Sequence, residues 1–248
     1  MRPALAERVA RLRLVDVADL APAHAREEVV VADLRDAAAM HAAIAGADGV
    51  VHLGAIPDEA PFADLLAVNV AGTQHVLEGA RRTGARRVVF ASSNHAIGGY
   101  PAGQPLDADV PTRPDSFYGV SKVAGEALGR MYADKFGLAV VNVRIGTFAP
   151  EPPDRRALST WLSPDDCRAV FLAAMTAPDV TYATIYGISC NTRRWWDHEP
   201  GRALGYEPRD DAERFAPALA AGALPPLQGG GFADAAYTLE RQPGGQDG

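Results

Sequence analysis

Two periods of hydrophobicity alternate along this chain. Short apolar runs rich in valine recur at RLRLVDV (11–17), EEVVVADL (27–34), DGVVHLGAI (48–56), RRVVFAS (86–92) and LAVVNVRIG (138–146), and their length and β-branching predict buried strands. Between them apolar residues fall three and four apart, over the amphipathic stretch Phe62 to Thr83 and again from Tyr118 to Gly137, where Val120, Val123, Leu128 and Met131 make one stripe. A shorter helix is expected from Asp36 to Ala45, and RPALAERVA (2–10) reads as the last turns of another. Strands alternating with helices predict an α/β fold built on a parallel sheet.

Polar groups arrive where one strand stops: VVFA runs into Ser92, Ser93, Asn94 and His95. Further on, Tyr118 and Lys122 lie one turn apart on a helix face, so a phenol and an ammonium become neighbours. A tyrosine with a reference pKa near ~10 is a poor base at neutral pH. An adjacent ammonium stabilises the phenolate and is expected to bring that pKa down, each unit being about 1.4 kcal/mol. Ser93 is a candidate to hold the reacting oxygen. The same spacing also arises by chance on exposed helix faces, but Lys122 and Lys135 are the only lysines beside 22 arginines. A lysine kept in such a chain marks a place where a compact, rotatable ammonium is needed and a guanidinium will not serve.

Composition sets the outer bounds. With 248 residues, 48% of them hydrophobic, the chain can bury one substantial core with a small appended lobe. A formal net charge of −7 argues against nucleic acid or an anionic membrane as partner. No apolar run approaches the ~18 residues of a membrane span, and the N-terminus lacks a signal-peptide layout, so a cytoplasmic protein is expected. Cys167 and Cys190 have no metal-ligand spacing and read as reduced, structural residues, with no metal site. The Gly/Pro-rich tail from Gln228 onward reads as loosely ordered.

A strand ending in SSNH, then a loop, then YGVSK resembles the Ser/Tyr/Lys site of the extended short-chain dehydrogenase/reductases, the NAD-dependent epimerase/dehydratase family. FASSNHAIGGYP, YGVSK, VRIGTFAPEP, LSTWLSPDD and RWWD are together similar to the uronate dehydrogenases within it, a likeness running from Arg11 to about Pro217. The resemblance implies a Rossmann-like, doubly wound parallel sheet over residues 1–150, a small substrate lobe over 151–227 and the tail over 228–248. It implies NAD-dependent oxidation of the anomeric carbon of a hexuronate, such as glucuronate or galacturonate, to an aldarolactone. Tyr118 would take the hydroxyl proton, Lys122 would lower its pKa and hold the cofactor ribose, and Ser93 would orient the hydroxyl.

The remaining roles follow from the same likeness. Asp16, Asp33, Leu34, Leu53, Gly54, Ala55 and Ile145 fall at cofactor-binding positions, with Tyr118 and Lys122. Asp16 favours NAD over NADP, because a carboxylate accepts from the ribose 2′-OH and repels a 2′-phosphate. Asp33 has a second reading, as a strand-end residue capping the next helix. Ser93, Asn94, His95, Thr147 and Arg156 fall at substrate positions. A guanidinium meets a carboxylate through two parallel hydrogen bonds, so Arg156 is the candidate for the uronate carboxylate, with Arg155 as the alternative. His95 has a second reading as a loop cap. Pro57 departs from the serine that related enzymes carry, which implies that one sugar hydroxyl loses a partner. Asn69 is expected to tie strand to helix, and Trp161, Tyr186, Trp195 and Trp196 to build the small lobe's core. A homodimer or higher homo-oligomer is implied, packed through helices Phe62 to Thr83 and Tyr118 to Lys135. The competing readings are a nucleotide-sugar epimerase or dehydratase, against which the short lobe without lysine argues, and a catalytically silent, dinucleotide-sensing or protein-binding relative.

One departure is large. In a dinucleotide-binding fold the first strand leads into a glycine turn that holds the pyrophosphate, and an acidic residue follows roughly 20 residues later. Asp16 takes that acidic place, so the turn would fall before Met1, and no G-x-x-G-x-x-G occurs elsewhere. Either the start stands at an internal methionine of a longer product, or the phosphate site has been lost. Losing a central strand would bare two sheet edges and cost more than the ~5 to 15 kcal/mol of a typical domain's stability, which favours the first account. The 248-residue chain is therefore expected to show neither NAD binding nor uronate oxidation.

Overall fold

The computed structural model of the chain describes residues 1–242. β1 (Leu12–Asp16) and β2 (Glu27–Val31) pair in parallel as a two-stranded sheet. A second parallel sheet takes β3 (Gly49–His52), β4 (Arg87–Ser93) and β5 (Ala139–Ile145), the short β6 (Thr147–Phe148) and β7 (Trp161–Leu162) pair beside it, and β8 (Tyr182–Gly187) closes the order β3-β4-β5-β8. Among the described residues no strand joins β1 to β3, so each keeps one unpaired edge.

The large sheet has apolar cover on both faces, and alternate side chains of β4 and β5 divide between them as a period of two requires. Val89, Ala91, Val141 and Val143 pack with Val170 and Phe171 of α7 (Pro164–Thr176), whereas Val88 and Val140 pack with α2 (Ala37–Ile44), α4 (Gly72–Thr83) and α5 (Phe117–Phe136). The valines at 88, 89, 140, 141 and 143 are fully buried. α1 (Arg2–Ala6) precedes β1, and its neighbour Met1 touches the α7-side cluster.

The helix foreseen from Phe62 is continuous but irregular. α3 (Phe62–Leu65) runs through a π turn, Leu66–Ala71, into α4. In that turn Asn69 accepts from the Ile56 amide at 2.8 Å and donates to the Ile56 carbonyl at 3.1 Å and to Ser121 Oγ at 3.0 Å. It ties the loop after β3 to two helices. α5 needs close approach to the sheet, and Gly125 provides it, since a Cβ there would collide with the Phe90 ring.

Three expectations change. The aromatic side chains assigned to one lobe core divide between two clusters: Tyr186, Trp195 and Trp196 join Ile97 and Ile188, while Trp161 packs with Leu158, Ala212 and Phe215 behind α6 (Ala157–Thr160). The cap of α2 is Asp36, whose carboxylate accepts from the Ala38 and Ala39 amides, and not Asp33. The tail is docked over its described part. Gln228 is fully buried, and it is bonded through its side chain to Trp196 and to the carbonyls of Pro101 and Gln104. Beyond it, α9 (Ala235–Leu239) leads to Gln242, which bonds Ala60 and Phe62. A short apolar-in-sequence segment gains this order from partners more than 120 residues away, which local composition does not report. Residues 243–248 lie outside the described part. α8 (Glu199–Ala203) follows β8, and among the described residues no helix is long and apolar enough to cross a membrane.

Candidate active site

β4 delivers Ser93, Asn94 and His95 to the C-terminal edge of the large sheet, where ligands of parallel α/β sheets bind. α5 starts against the same edge. Its first amides are all accounted for: Ser116 Oγ accepts from Gly119, and the buried Glu59 carboxylate accepts from Phe117 at 3.1 Å and from Tyr118 at 2.7 Å. A carboxylate at a helix N-terminus is favourable by charge as well as by hydrogen bonding, so Glu59 pins the backbone that carries Tyr118.

Tyr118 and Lys122 are both buried. Lys122 Nζ donates to the Ala91 carbonyl at 2.9 Å, and lies 5.5 Å from the Tyr118 ring centre and 5.2 Å from that of Phe90. The expected lowering of the phenol does not occur here. Burial pushes Tyr118 up to about 12, the Asp58 and Asp115 carboxylates add to this, and the hydrogen bond with Ser93 offsets only part of it. Burial likewise takes Lys122 down to about 8. The physical reason is desolvation: both groups lose water, and the ammonium spends a hydrogen bond on a backbone carbonyl.

Two adjoining cavities meet at Asn94, His95 and Gly146. The smaller, of about 440 Å³, is lined by Leu53, Ala55, Ser93, Tyr118, Lys122 and Ile145, and also by Pro57. The larger, of about 760 Å³, is lined by Thr147, Arg155, Arg156 and Phe232. In the orientation that satisfies its neighbours, the Asn94 amide donates to the Ile145 carbonyl at 3.0 Å and accepts from Arg156 at 2.9 Å. Arg156 also donates through Nε to the Gln228 carbonyl at 2.6 Å and through Nη1 to Thr147 Oγ1 at 3.1 Å. Burial pushes this guanidinium below its ordinary value, with Asp154 and Asp115 opposing the shift.

Four of the expected cofactor residues, Asp16, Asp33, Leu34 and Gly54, line neither cavity. Asp16 ends β1, where its carboxylate accepts from the Ala18 amide. Asp33 is paired with Arg35 at 2.6 Å, which holds its carboxyl at about 2. Leu34 leans across Gly72 and Gly54, leaving no room for a Cβ at Gly72.

A family model described as the NAD dependent epimerase/dehydratase family matches residues 3–164. The chain belongs to this family. It is 46% identical over 242 residues to a uronate dehydrogenase of Agrobacterium fabrum, covering 94% of this chain and 91% of that one. Against a uronate dehydrogenase of Pseudomonas syringae pv. tomato the identity is 43% over 229 residues, covering 89% and 83%. A solved mutant of the Agrobacterium tumefaciens uronate dehydrogenase complexed with NAD superposes with a TM-score of 0.90 at 45% identity, covering 94% of this chain and 91% of that one. The glucuronic acid dehydrogenase of Chromohalobacter salexigens gives 0.91 at 41%, covering 96% and 92%.

For a member of this epimerase/dehydratase family, four residues of the site escaped sequence reasoning. Glu59 and Gln228 carry no local signal, since each acts through backbone groups brought near by the fold. Phe232, stacked on His95 with ring centres 3.9 Å apart, stands beside three glycines that read as loose tail. Asp115, 2.8 Å from His95 Nδ1, had a signal in the Asp-Ser pair that opens α5.

Proposed function

We propose that this chain is an NAD-dependent dehydrogenase that oxidises the anomeric carbon of a hexuronate, glucuronate or galacturonate, to an aldarolactone. The observation that carries it is the joining, through Asn94, of a buried proton-acceptor cluster to a half-buried arginine. Ser93, Tyr118 and Lys122 stand at one end, and Arg156 with Thr147 at the other. A cyclic sugar acid offers the matching pair, a hydroxyl to be deprotonated and a carboxylate for a guanidinium. The uronate dehydrogenases that this chain resembles support the reading.

The cofactor fit differs along its length. At the nicotinamide and ribose end, Lys122 has one acceptor, the Ala91 carbonyl, and its other N–H groups are available to ribose hydroxyls beside Ile145 and Ala55. Asp16 would accept from the adenosine 2′-OH. Among the described residues none forms a glycine turn between a strand and a helix for the pyrophosphate. NAD, when bound, supplies the hydride acceptor. The chain's own residues do the rest: Ser93 orients the C1 hydroxyl and lowers the phenol through its hydrogen bond, Tyr118 takes the proton, Lys122 holds the cofactor ribose, and Arg156 and His95 fix the sugar.

Association of two copies through α3–α4 and α5 belongs to the same proposal, supported by the exposed Leu66, Phe117, Val120 and Met131 on those helices. So does a cytoplasmic location. The deciding experiment follows NADH formation with galacturonate, galactose and UDP-galactose in parallel, in a form competent to bind NAD. Oxidation of the uronate alone is expected, and turnover of the nucleotide sugar in its place would overturn the assignment.

A further inference from the structure

His95 does not stand alone. Its Nδ1 lies 2.8 Å from Asp115 Oδ2, and the Asp115 side chain is completely buried. The other carboxylate oxygen, Oδ1, accepts from Ser116 Oγ at 2.9 Å, and Ser116 in turn caps α5 through the Gly119 amide. No lysine or arginine pairs with this carboxylate among the described residues, so His95 and Ser116 are its side-chain partners. The backbone has been cut back to admit it. A Cβ on either Gly98 or Gly229 would collide with Oδ2, and those two glycines are themselves joined, the Gly229 amide donating to the Gly98 carbonyl at 2.9 Å. Phe232 then stacks on the outer face of the imidazole.

An ionised carboxylate only accepts, so Nδ1 must carry the proton in this pair. Which nitrogen of a histidine is left free is set by the bond that the other makes. Nε2 has no partner among the described residues, and the ring keeps 13% of its side-chain surface exposed, lining both cavities. We propose that Asp115 is a positioning residue: it fixes His95 in the Nδ1–H tautomer and turns Nε2 into the site as a lone-pair acceptor for a sugar hydroxyl of the substrate. Gly98 and Gly229 are the walls that let it do so. The proposal rests on the uronate reading for the identity of the sugar and on geometry alone for the dyad.

The test separates the two. In wild-type chain labelled with 15N-histidine, His95 is expected to show a protonated Nδ1 and an unprotonated Nε2, with Nε2 shifting on titration with galacturonate. Asp115→Asn can offer an amide N–H to Nδ1, and it is expected to move the proton to Nε2 and to weaken galacturonate binding about tenfold. Gly98→Ala, which displaces the carboxylate without removing it, should reproduce the effect, and the double variant should be no weaker than either single one, because both act through one contact. In a form that turns over, KM for galacturonate should rise about tenfold with kcat within threefold. A proton on Nε2 in the wild type, or unchanged His95 signals in Asp115→Asn, would overturn the dyad. Normal His95 signals with no response to galacturonate would overturn the uronate reading instead. A loss confined to kcat would overturn the positioning role.

Discussion

The two sheets of this molecule are built from similar sequence and end in different states. β4 and β5 carry valines that are fully buried, while Val15 of β1 is 39% exposed and Val31 of β2 is 57% exposed. All four strands are parallel, and β2 is as valine-rich as β4 and β5, so propensity does not separate it from them. What separates them is partners: β4 and β5 have strands on both edges and helices on both faces, whereas β1 and β2 have only each other. The difference shows that burial in a parallel sheet belongs to the neighbourhood and not to the strand. It also divides the chemistry, since Ser93, Tyr118 and Lys122 are held by the large sheet, and Asp16 and Asp33 by the small one.

The largest effect should appear at the open edge of the small sheet. A form extended upstream of Met1 by a strand and a glycine-rich turn is expected to bind NAD at least ~10³-fold more tightly than the 248-residue chain in calorimetry, because several charge-assisted bonds to the pyrophosphate are at stake. Equal affinities would mean that another segment serves the phosphates and that the contrast between the sheets has no functional meaning. Within the large sheet, Tyr118→Phe removes the proton acceptor and keeps the ring. Turnover in a competent form should fall by about 10² or more with folding intact, and survival within a few-fold would place the chemistry elsewhere.

A pH titration probes the same half. His52 is buried at the end of β3 and held down to about 3, and His198 is buried and held down to about 4, in both cases mainly by desolvation. As pH falls below the unfolded value near ~6.5, the unfolded chain binds protons that the folded chain refuses. Stability is therefore complete above that value and is lost as pH drops from it toward 4 and 3. Between pH 7 and 5 the loss should be about 2 kcal/mol per imidazole, read as a lower urea midpoint. Lowering by the paired carboxylates Glu27, Asp33 and Glu78 contributes only further down, below the ordinary carboxylate range. A midpoint indifferent to pH over this interval would mean that neither imidazole is dry. The smallest contrast is steric: Val89→Ala should cost about 2 kcal/mol and Val15→Ala under about 1 kcal/mol, and equal costs would erase the distinction drawn between the sheets.

β1 to β5, the helices from Phe62 and Tyr118 and the pairing of Tyr118 with Lys122 were legible because each rests on a local rule, a period of two, a period of 3.6, or a one-turn spacing, whereas α7 and β8 were not foreseen. The π turn was not, since it shifts the period by one residue inside an otherwise regular helix; it contains Asn69, which accepts from the Ile56 amide. Neither was the state of Tyr118, because the sequence shows the ammonium beside it but not the loss of water around it. Arg156 could be chosen over Arg155 only by likeness. The structure adds three bonds that run through Arg156, to Asn94, Thr147 and Gln228.

The docking of Gln228 also sets a clock. His95 and Asn94 leave the ribosome long before Gln228, Gly229 and Phe232, which brace Arg156, the Asp115 carboxylate and the His95 ring. At roughly 5 to 20 residues per second, the intervening stretch takes roughly 7 to 27 s to synthesise. During that interval the large sheet can assemble on the nascent chain while the sugar end of the site stays open. The segment that braces the sugar end is thus made well after the sheet it leans on, and that end closes only once Gln228 to Phe232 have emerged and folded back across it.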